Sequence, residues 1–381
     1  MRVSPASRWI SATVILAALT LIGSADEGER GQTVESRAPQ IPLSAEAQRL
    51  VPELQALIAS ELTQRFGDGV TFVHSEKLPI EFGLEAPDQN REQGWLLRLG
   101  RQVFVKHCAE CHGRFGDGQA VTEQKLRSAP RDFRSGIFKW KSTVSQNRAR
   151  RHDLYETIRL GLPGTDMPGF PSVTDDERRG AVEYVRWLSM RHEVESEVVI
   201  RAENANLDEV RADLNKWFTR ITDAWSRAEL PESVAKAQIE PVLTADRIEK
   251  GKALFTSNKT RCSACHGTDG RGDGPATKDF WFIPASNKKY STAGIHDAWG
   301  NKVTPRDFRS QSFRSGEDAL DVFRRISVGI PGTPMPGYGP GITEDDKWNL
   351  VAYVLSLRPA KIDAVHRDPS PKSQSTSPNV P

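Results

Sequence analysis

Cys108-Ala109-Glu110-Cys111-His112 and Cys262-Ser263-Ala264-Cys265-His266 are two copies of one pattern, and they hold all four cysteines of the 381-residue chain. Cys-x-x-Cys-His is the attachment signature of a c-type haem. Each thiol can form a thioether to a haem vinyl group, and the adjacent histidine can reach the iron from the same face. The chain is therefore expected to carry two covalently attached haem c groups, with His112 and His266 as iron ligands. Other uses of the cysteines fit poorly. Zinc ribbons place their pairs about 15–20 residues apart, whereas Cys111 and Cys262 are separated by 151. A thioredoxin-like pair needs no histidine directly after its second cysteine. A disulfide across a two-residue gap is strained.

Outward from the cysteines the duplication continues. Gly100 and Phe104 precede the first motif as Gly251 and Phe255 precede the second. A glycine-rich loop follows each, at residues 113–118 and 267–274. Then come Pro130-Arg131-Asp132-Phe133-Arg134 and Pro305-Arg306-Asp307-Phe308-Arg309, and after them Pro163-Gly164-Thr165-Asp166-Met167-Pro168-Gly169 and Pro331-Gly332-Thr333-Pro334-Met335-Pro336-Gly337. Each copy closes on a predicted helix with aromatic anchors, Tyr184 and Trp187 or Trp348 and Tyr353, behind the candidate N-caps Thr174 and Thr343. From the first cysteine to the Pro-Arg-Asp-Phe block the second copy is 21 residues longer; from that block to the methionine the first is 7 longer. Loop insertions on a shared scaffold account for both differences. The longer insertion, residues 278–303, holds Trp281, Tyr290, His296 and Trp299, and reads as a haem lid or a docking surface.

A low-spin haem needs a second axial ligand. Met167 lies 55 residues after His112, and Met335 lies 69 after His266. Of four methionines in the chain these two occupy equivalent positions between proline and glycine, in stiff extended segments suited to presenting a sulfur. They are the expected distal ligands, and His/Met ligation raises the reduction potential. Met190 at a helix end reads as packing. His74, His107 and His152 lack counterparts in the other copy and read as ordinary residues. The arginines of the two Pro-Arg-Asp-Phe-Arg blocks have two open readings: pairing with haem propionates, or a solvated turn with arginine–aspartate pairing. Residues 125–151 carry nine basic side chains against one acidic, either a patch that steers an acidic redox partner or a solvated face. The segment 269–274 lacks the terminal glutamate of a calcium loop and reads as a turn beside the haem.

At the N-terminus, Arg2 and Arg8 precede an apolar run at residues 9–22, followed by the small residues 23–25. The run is short for a spanning helix and reads as an export signal cleaved after Ala25, or else an uncleaved anchor. Loss of residues 1–25 takes the 52 basic side chains to 50, level with the 50 acidic ones. Nothing in this balance points to nucleic acid. Residues 26–42 read as a flexible linker. Within 43–66, Leu54, Leu57, Ile58 and Leu62 fall at helical spacing, with Pro52 in the first turn. Leu207, Val210, Leu214, Trp217, Phe218, Ile221 and Trp225 form an apolar helical stripe between the copies, a connector packed on one or both. Residues 360–381 read as a disordered tail.

With its Cys-x-x-Cys-His motifs, Arg-Asp-Phe-Arg blocks and Pro-Gly-Thr-x-Met-Pro-Gly loops, the chain resembles a tandem di-haem member of the class I cytochrome c family over 91–192 and 246–358. The resemblance implies an all-α fold: two tandem class I domains, 91–192 and 246–359, joined by a helical connector at 193–245 and preceded by an N-terminal helical extension at 43–90. It implies a periplasmic electron carrier with no catalytic residues, in which Cys108, Cys111, His112, Met167, Cys262, Cys265, His266 and Met335 bind two haem c groups, with His112, Met167, His266 and Met335 as the iron ligands. It implies redox partners of the respiratory chain: a quinol-oxidising complex, a terminal oxidase or reductase, or a dehydrogenase. Membrane contact would arise only through an uncleaved N-terminus or a membrane complex. Two other functions share these motifs: a di-haem cytochrome c peroxidase, which needs an iron able to open a coordination site, and a permanent haem subunit of an oxidoreductase complex.

Overall fold

The computed structural model describes residues 41–83, 94–119, 126–144, 147–202, 206–235, 244–284, 286–339 and 341–359. The expected export signal, nearly all of the linker and the C-terminal tail lie outside these residues. The regular secondary structure of the described residues is almost wholly helical: α1 (Pro52–Phe66), α2 (Trp95–His107), α3 (Ala109–His112), α4 (Arg151–Leu160), α5 (Asp175–Ala202), α6 (Leu207–Ala228), α7 (Ala245–Thr256), α8 (Cys262–His266), α9 (Ala319–Val328) and α10 (Glu344–Ser356). The strands β1 (Ile295–His296) and β2 (Lys302–Val303) pair antiparallel inside the long insertion, Ile295 opposite Val303. No described helix is long and apolar enough to cross a membrane.

Each repeat is built on a crossing of its first and last long helices, α2 on α5 and α7 on α10. Glycine makes both crossings possible. A Cβ on Gly100 would lie 1.9 Å from the Gly180 carbonyl oxygen, and one on Gly251 would lie 1.9 Å from that of Asn349. Backbones this close admit no side chain, so the same residue type recurs at both contacts. The last helices are capped alike. Thr343 exchanges hydrogen bonds with Asp346, and Thr174 with Glu177, satisfying otherwise orphaned N–H groups.

Two main apolar cores result, one per repeat. The first extends well beyond its repeat. Pro52 opens α1 at its first position, and Leu54, Leu57, Ile58, Leu62 and Phe66 bury one face of that helix. Phe66 meets Trp187 and Phe218 edge-on, and Trp187 Nε1 donates to the Phe66 carbonyl at 3.2 Å. The α6 stripe closes on α5: Val210, Leu214, Phe218 and Trp225 are all buried. The α1 segment and the connector helix therefore belong to the first repeat's core, with each fully buried large side chain contributing about 1.5–3 kcal/mol. After Gly67, in the left-handed region at φ 91°, the extension stops being helical and continues as turns through Gly83.

Candidate functional site

In both repeats a short helix carries the cysteines and the histidine, and left-handed glycines turn the chain out of it, Gly113 at φ 77° and Gly267 at φ 74°. The glycine loop folds back onto that helix: Gly118 N donates to His112 O at 2.9 Å, and Gly272 N donates to His266 O at 2.8 Å. The Pro-Arg-Asp-Phe block is then laid against the loop by Phe133 N to Gly116 O and Phe308 N to Gly270 O, both 2.8 Å. The segment 269–274 is thus a turn that braces the cysteine helix.

The block fixes the histidine. His112 Nδ1 lies 3.1 Å from Arg131 O, and His266 Nδ1 lies 3.3 Å from Arg306 O. A carbonyl only accepts, so Nδ1 carries the proton and Nε2 presents its lone pair, the arrangement found for metal-binding histidines. Phe133 and Phe308 stack on these rings, with centroids 4.7 and 4.6 Å apart. Burial lowers the pKa of His112 and takes His266 down to about 4, so both rings are neutral near pH 7, as a nitrogen ligand requires. Burial also pushes the Cys108 thiol up to about 12 and raises Cys262.

The methionine loops are built identically. Left-handed Gly161 and Gly329 end helices α4 and α9. Leu162 N donates to Met167 O at 3.0 Å, as Ile330 N does to Met335 O at 3.2 Å. Thr165 Oγ1 and Thr333 Oγ1 each accept from the methionine N–H, at 3.2 and 3.3 Å. Three residues beyond the methionine, an aromatic ring ties each loop back toward the cysteines. Phe170 packs on His107, and the Tyr338 hydroxyl donates to Thr260 O.

In the first repeat Cys108, Cys111, His112 and Met167 line one cavity of about 370 Å³, walled by apolar side chains such as Phe138, Leu154 and Ile158. Two thiols, a neutral imidazole and a thioether around an apolar slot suit a covalently attached haem. In the second repeat Cys262, Cys265 and His266 stand on α8, and Met335 stands in a loop with the same hydrogen bonds. All four thiols are free of disulfides, and no described group of three or more His, Cys, Asp or Glu is arranged to hold a metal.

The structure places the remaining residues singled out in the sequence. Arg134 pairs with Asp132 at 2.6 Å, the turn reading of the block. The basic run at 125–151 is not an open patch. Arg148 binds Glu193; Arg151 binds Glu183, Glu81 and Glu229; Arg127 binds Asp166; Lys139 binds Asp297. Most of these acids are remote in sequence, so a local charge count overlooks them. Met190 is buried core, His74 and His152 are exposed, and His107 is half-buried against Phe170. Two further participants come from the second repeat, and the sequence does not show which residues they meet. Trp299 of the long insertion packs against Gly332 and lies under the Arg131 guanidinium, 3.8 Å from the ring centre. Arg314 of the second repeat lines the first cavity and donates to Pro163 O and Gly164 O at 3.2 and 3.3 Å.

The family model described as cytochrome c matches residues 97–189 and 248–358. No curated protein matches the chain. Among solved structures, a chain of the Kuenenia stuttgartiensis reducing HAO-like protein complex is similar at 26% identity, over 68% of this chain and 96% of that one, with a TM-score of 0.52.

Proposed function

The chain belongs to the cytochrome c family, and on that premise we propose that it is an exported di-haem electron carrier, with one His/Met-ligated haem c in each repeat. Domains of this family bind haem c covalently and serve electron transfer. The haem supplies a one-electron Fe(II)/Fe(III) couple. The chain does the rest. Cys108 with Cys111, and Cys262 with Cys265, provide the thiols for attachment. His112 and His266 offer Nε2, Met167 and Met335 offer sulfur, and the apolar walls exclude water. A haem held by these residues would supply electron transfer, and the chain's own part is to hold it in place and keep water away.

The supporting observation is the repetition of one hydrogen-bonded frame, histidine on the block carbonyl and methionine on the threonine hydroxyl, in both repeats. A peroxidase would need one iron with an open position, and neither methionine loop departs from the other. The leading apolar run at residues 9–22 supports a periplasmic location. The proposed partners are redox proteins of a respiratory chain: a quinol-oxidising complex, a terminal oxidase or reductase, or a dehydrogenase. A second reading, a permanent haem subunit of an oxidoreductase complex, is favoured by the similarity to a chain of a reducing HAO-like protein complex.

A redox titration of the intact holoprotein followed by absorbance tests the carrier reading. Two low-spin couples and no hydrogen peroxide turnover are expected; a five-coordinate haem with rapid peroxide consumption would replace the carrier by an enzyme. Native purification separates shuttle from subunit, because only a subunit brings other chains with it.

A further inference from the structure

We infer that the two sites are coupled by a reciprocal contact, in which Arg131 and Arg306 each hold the histidine of their own repeat through the carbonyl and the methionine loop of the other repeat through the guanidinium. This inference rests on the His/Met di-haem reading. Arg131 and Arg306 are equivalent residues, each second in its Pro-Arg-Asp-Phe block. Gly164 and Gly332 are equivalent as well, each three residues before the methionine.

The Arg306 guanidinium crosses to the first repeat and lies against Gly164, 3.3 Å from where a Cβ would stand. Arg314 reinforces it by donating to the carbonyls of Pro163 and Gly164. In the opposite direction Arg131 reaches Gly332 through one intermediary. Its guanidinium sits on Trp299, and Trp299 lies so close on Gly332 that a Cβ there would be 2.1 Å from the ring. Ala298 N fixes the intermediary by donating to Gly332 O at 2.7 Å. The longer insertion of the second repeat thus supplies the spacer that makes the contact mutual.

Among the described residues, no carboxylate lies in ion-pair range of Arg131, Arg306 or Arg314. Asp297, beside Trp299 in sequence, is taken by Lys139 at 2.9 Å, and Asp166 of the first methionine loop is taken by Arg127 at 2.8 Å. These cations are half-buried between the repeats, and burial with the neighbouring Arg306 charge brings Arg314 down to about 10. Positive charge therefore bears directly on the first methionine loop at Gly164, and through the Trp299 stack on the second at Gly332. A change in the set of one loop is felt at the arginine that orients the other repeat's histidine, and by linkage the converse holds. Arg131 and Arg306 are positioning residues.

The test uses the full-length holoprotein in its reduced state and reads the two ligand-methionine methyl proton resonances, assigned with Met167→Ala and Met335→Ala. Arg306→Gln is expected to shift the Met167 signal and leave the Met335 signal in place. Arg131→Gln should shift the Met335 signal and spare that of Met167. Arg309→Gln, in the same block but without contact to the first repeat, should move neither. If Arg306→Gln does not mature, Arg306→Lys, which keeps the charge and loses the fork, should move the same signal by less. A pattern in which each arginine variant moves only its own repeat's signal, or moves neither, overturns the coupling and leaves the di-haem reading intact. Absence of both signals from the unmodified protein overturns the His/Met reading and this inference with it.

Discussion

His112 and Arg131 meet through Nδ1 and a carbonyl oxygen 3.1 Å apart, and His266 and Arg306 repeat the contact at 3.3 Å. The partners are 19 residues apart in the first repeat and 40 in the second. An insertion of 21 residues is therefore absorbed entirely outside the contact. The acceptor is backbone, so the side chain at that position is free for another task, and in both repeats it points into the seam between them.

Replacing Met167 or Met335 by alanine is expected to abolish the methionine–iron charge-transfer absorption of that haem and to lower its potential, because a thioether ligand favours the reduced iron. Spectroelectrochemistry of each variant measures both. Survival of both features in each variant would show that the sulfurs are not ligands.

Replacing Cys262 and Cys265 together by alanine is expected to halve the covalently bound haem, since Cys108 and Cys111 form an independent attachment site in a separate core. Haem released by acid extraction, compared with haem retained on the chain, gives the count. Unchanged retention would exclude the second site.

Gly100→Ala and Gly251→Ala each force a methyl group onto a carbonyl oxygen at a helix crossing. Backbone cannot yield as a flexible side chain does, and the expected loss of stability is about 1–3 kcal/mol or more. Denaturant unfolding of the holoprotein reports it. Gly339→Ala, with open space around the site, should be close to neutral.

Glu195 is buried, with Ser44 N at 2.5 Å and His192 Nδ1 at 3.4 Å. Burial alone would raise its pKa, but the hydrogen bonds from His192 and Ser44 hold it below the ordinary value near 4.5. The unfolded chain therefore takes up this proton first on acidification. The stabilisation is present in full above about pH 4.5 and is lost as pH falls through the lowered folded value. Glu195→Gln is expected to cost about 1–3 kcal/mol at pH 7, with the gap to the unsubstituted protein narrowing below pH 4.5. Unfolding curves at several pH values check this; a gap that widens in acid would contradict it.

Local sequence carried the cysteine helices, the caps at Thr174 and Thr343, the α1 stripe and the two methionine loops, because each rests on spacing or turn chemistry within a few residues. The seam between the repeats was not legible. The Arg131–Trp299 stack joins residues 168 apart in sequence, and nothing in the aromatic content of the insertion says which ring meets which cation. The pairing of the basic run at 125–151 was not legible for the same reason: Glu183, Glu193 and Glu229, which bind it, arrive from α5 and the end of α6. The amphipathic stripe of α6 showed that the helix packs, while its choice of α5 depends on the shape that Phe66 and Trp187 present.

The claim beneath all of this is that each Cys-x-x-Cys-His carries an iron porphyrin. Intact mass of the mature, exported chain, taken with its pyridine haemochrome absorbance, tests that claim most directly. Two haem c per chain are predicted; a colourless chain with four titratable thiols would contradict the account.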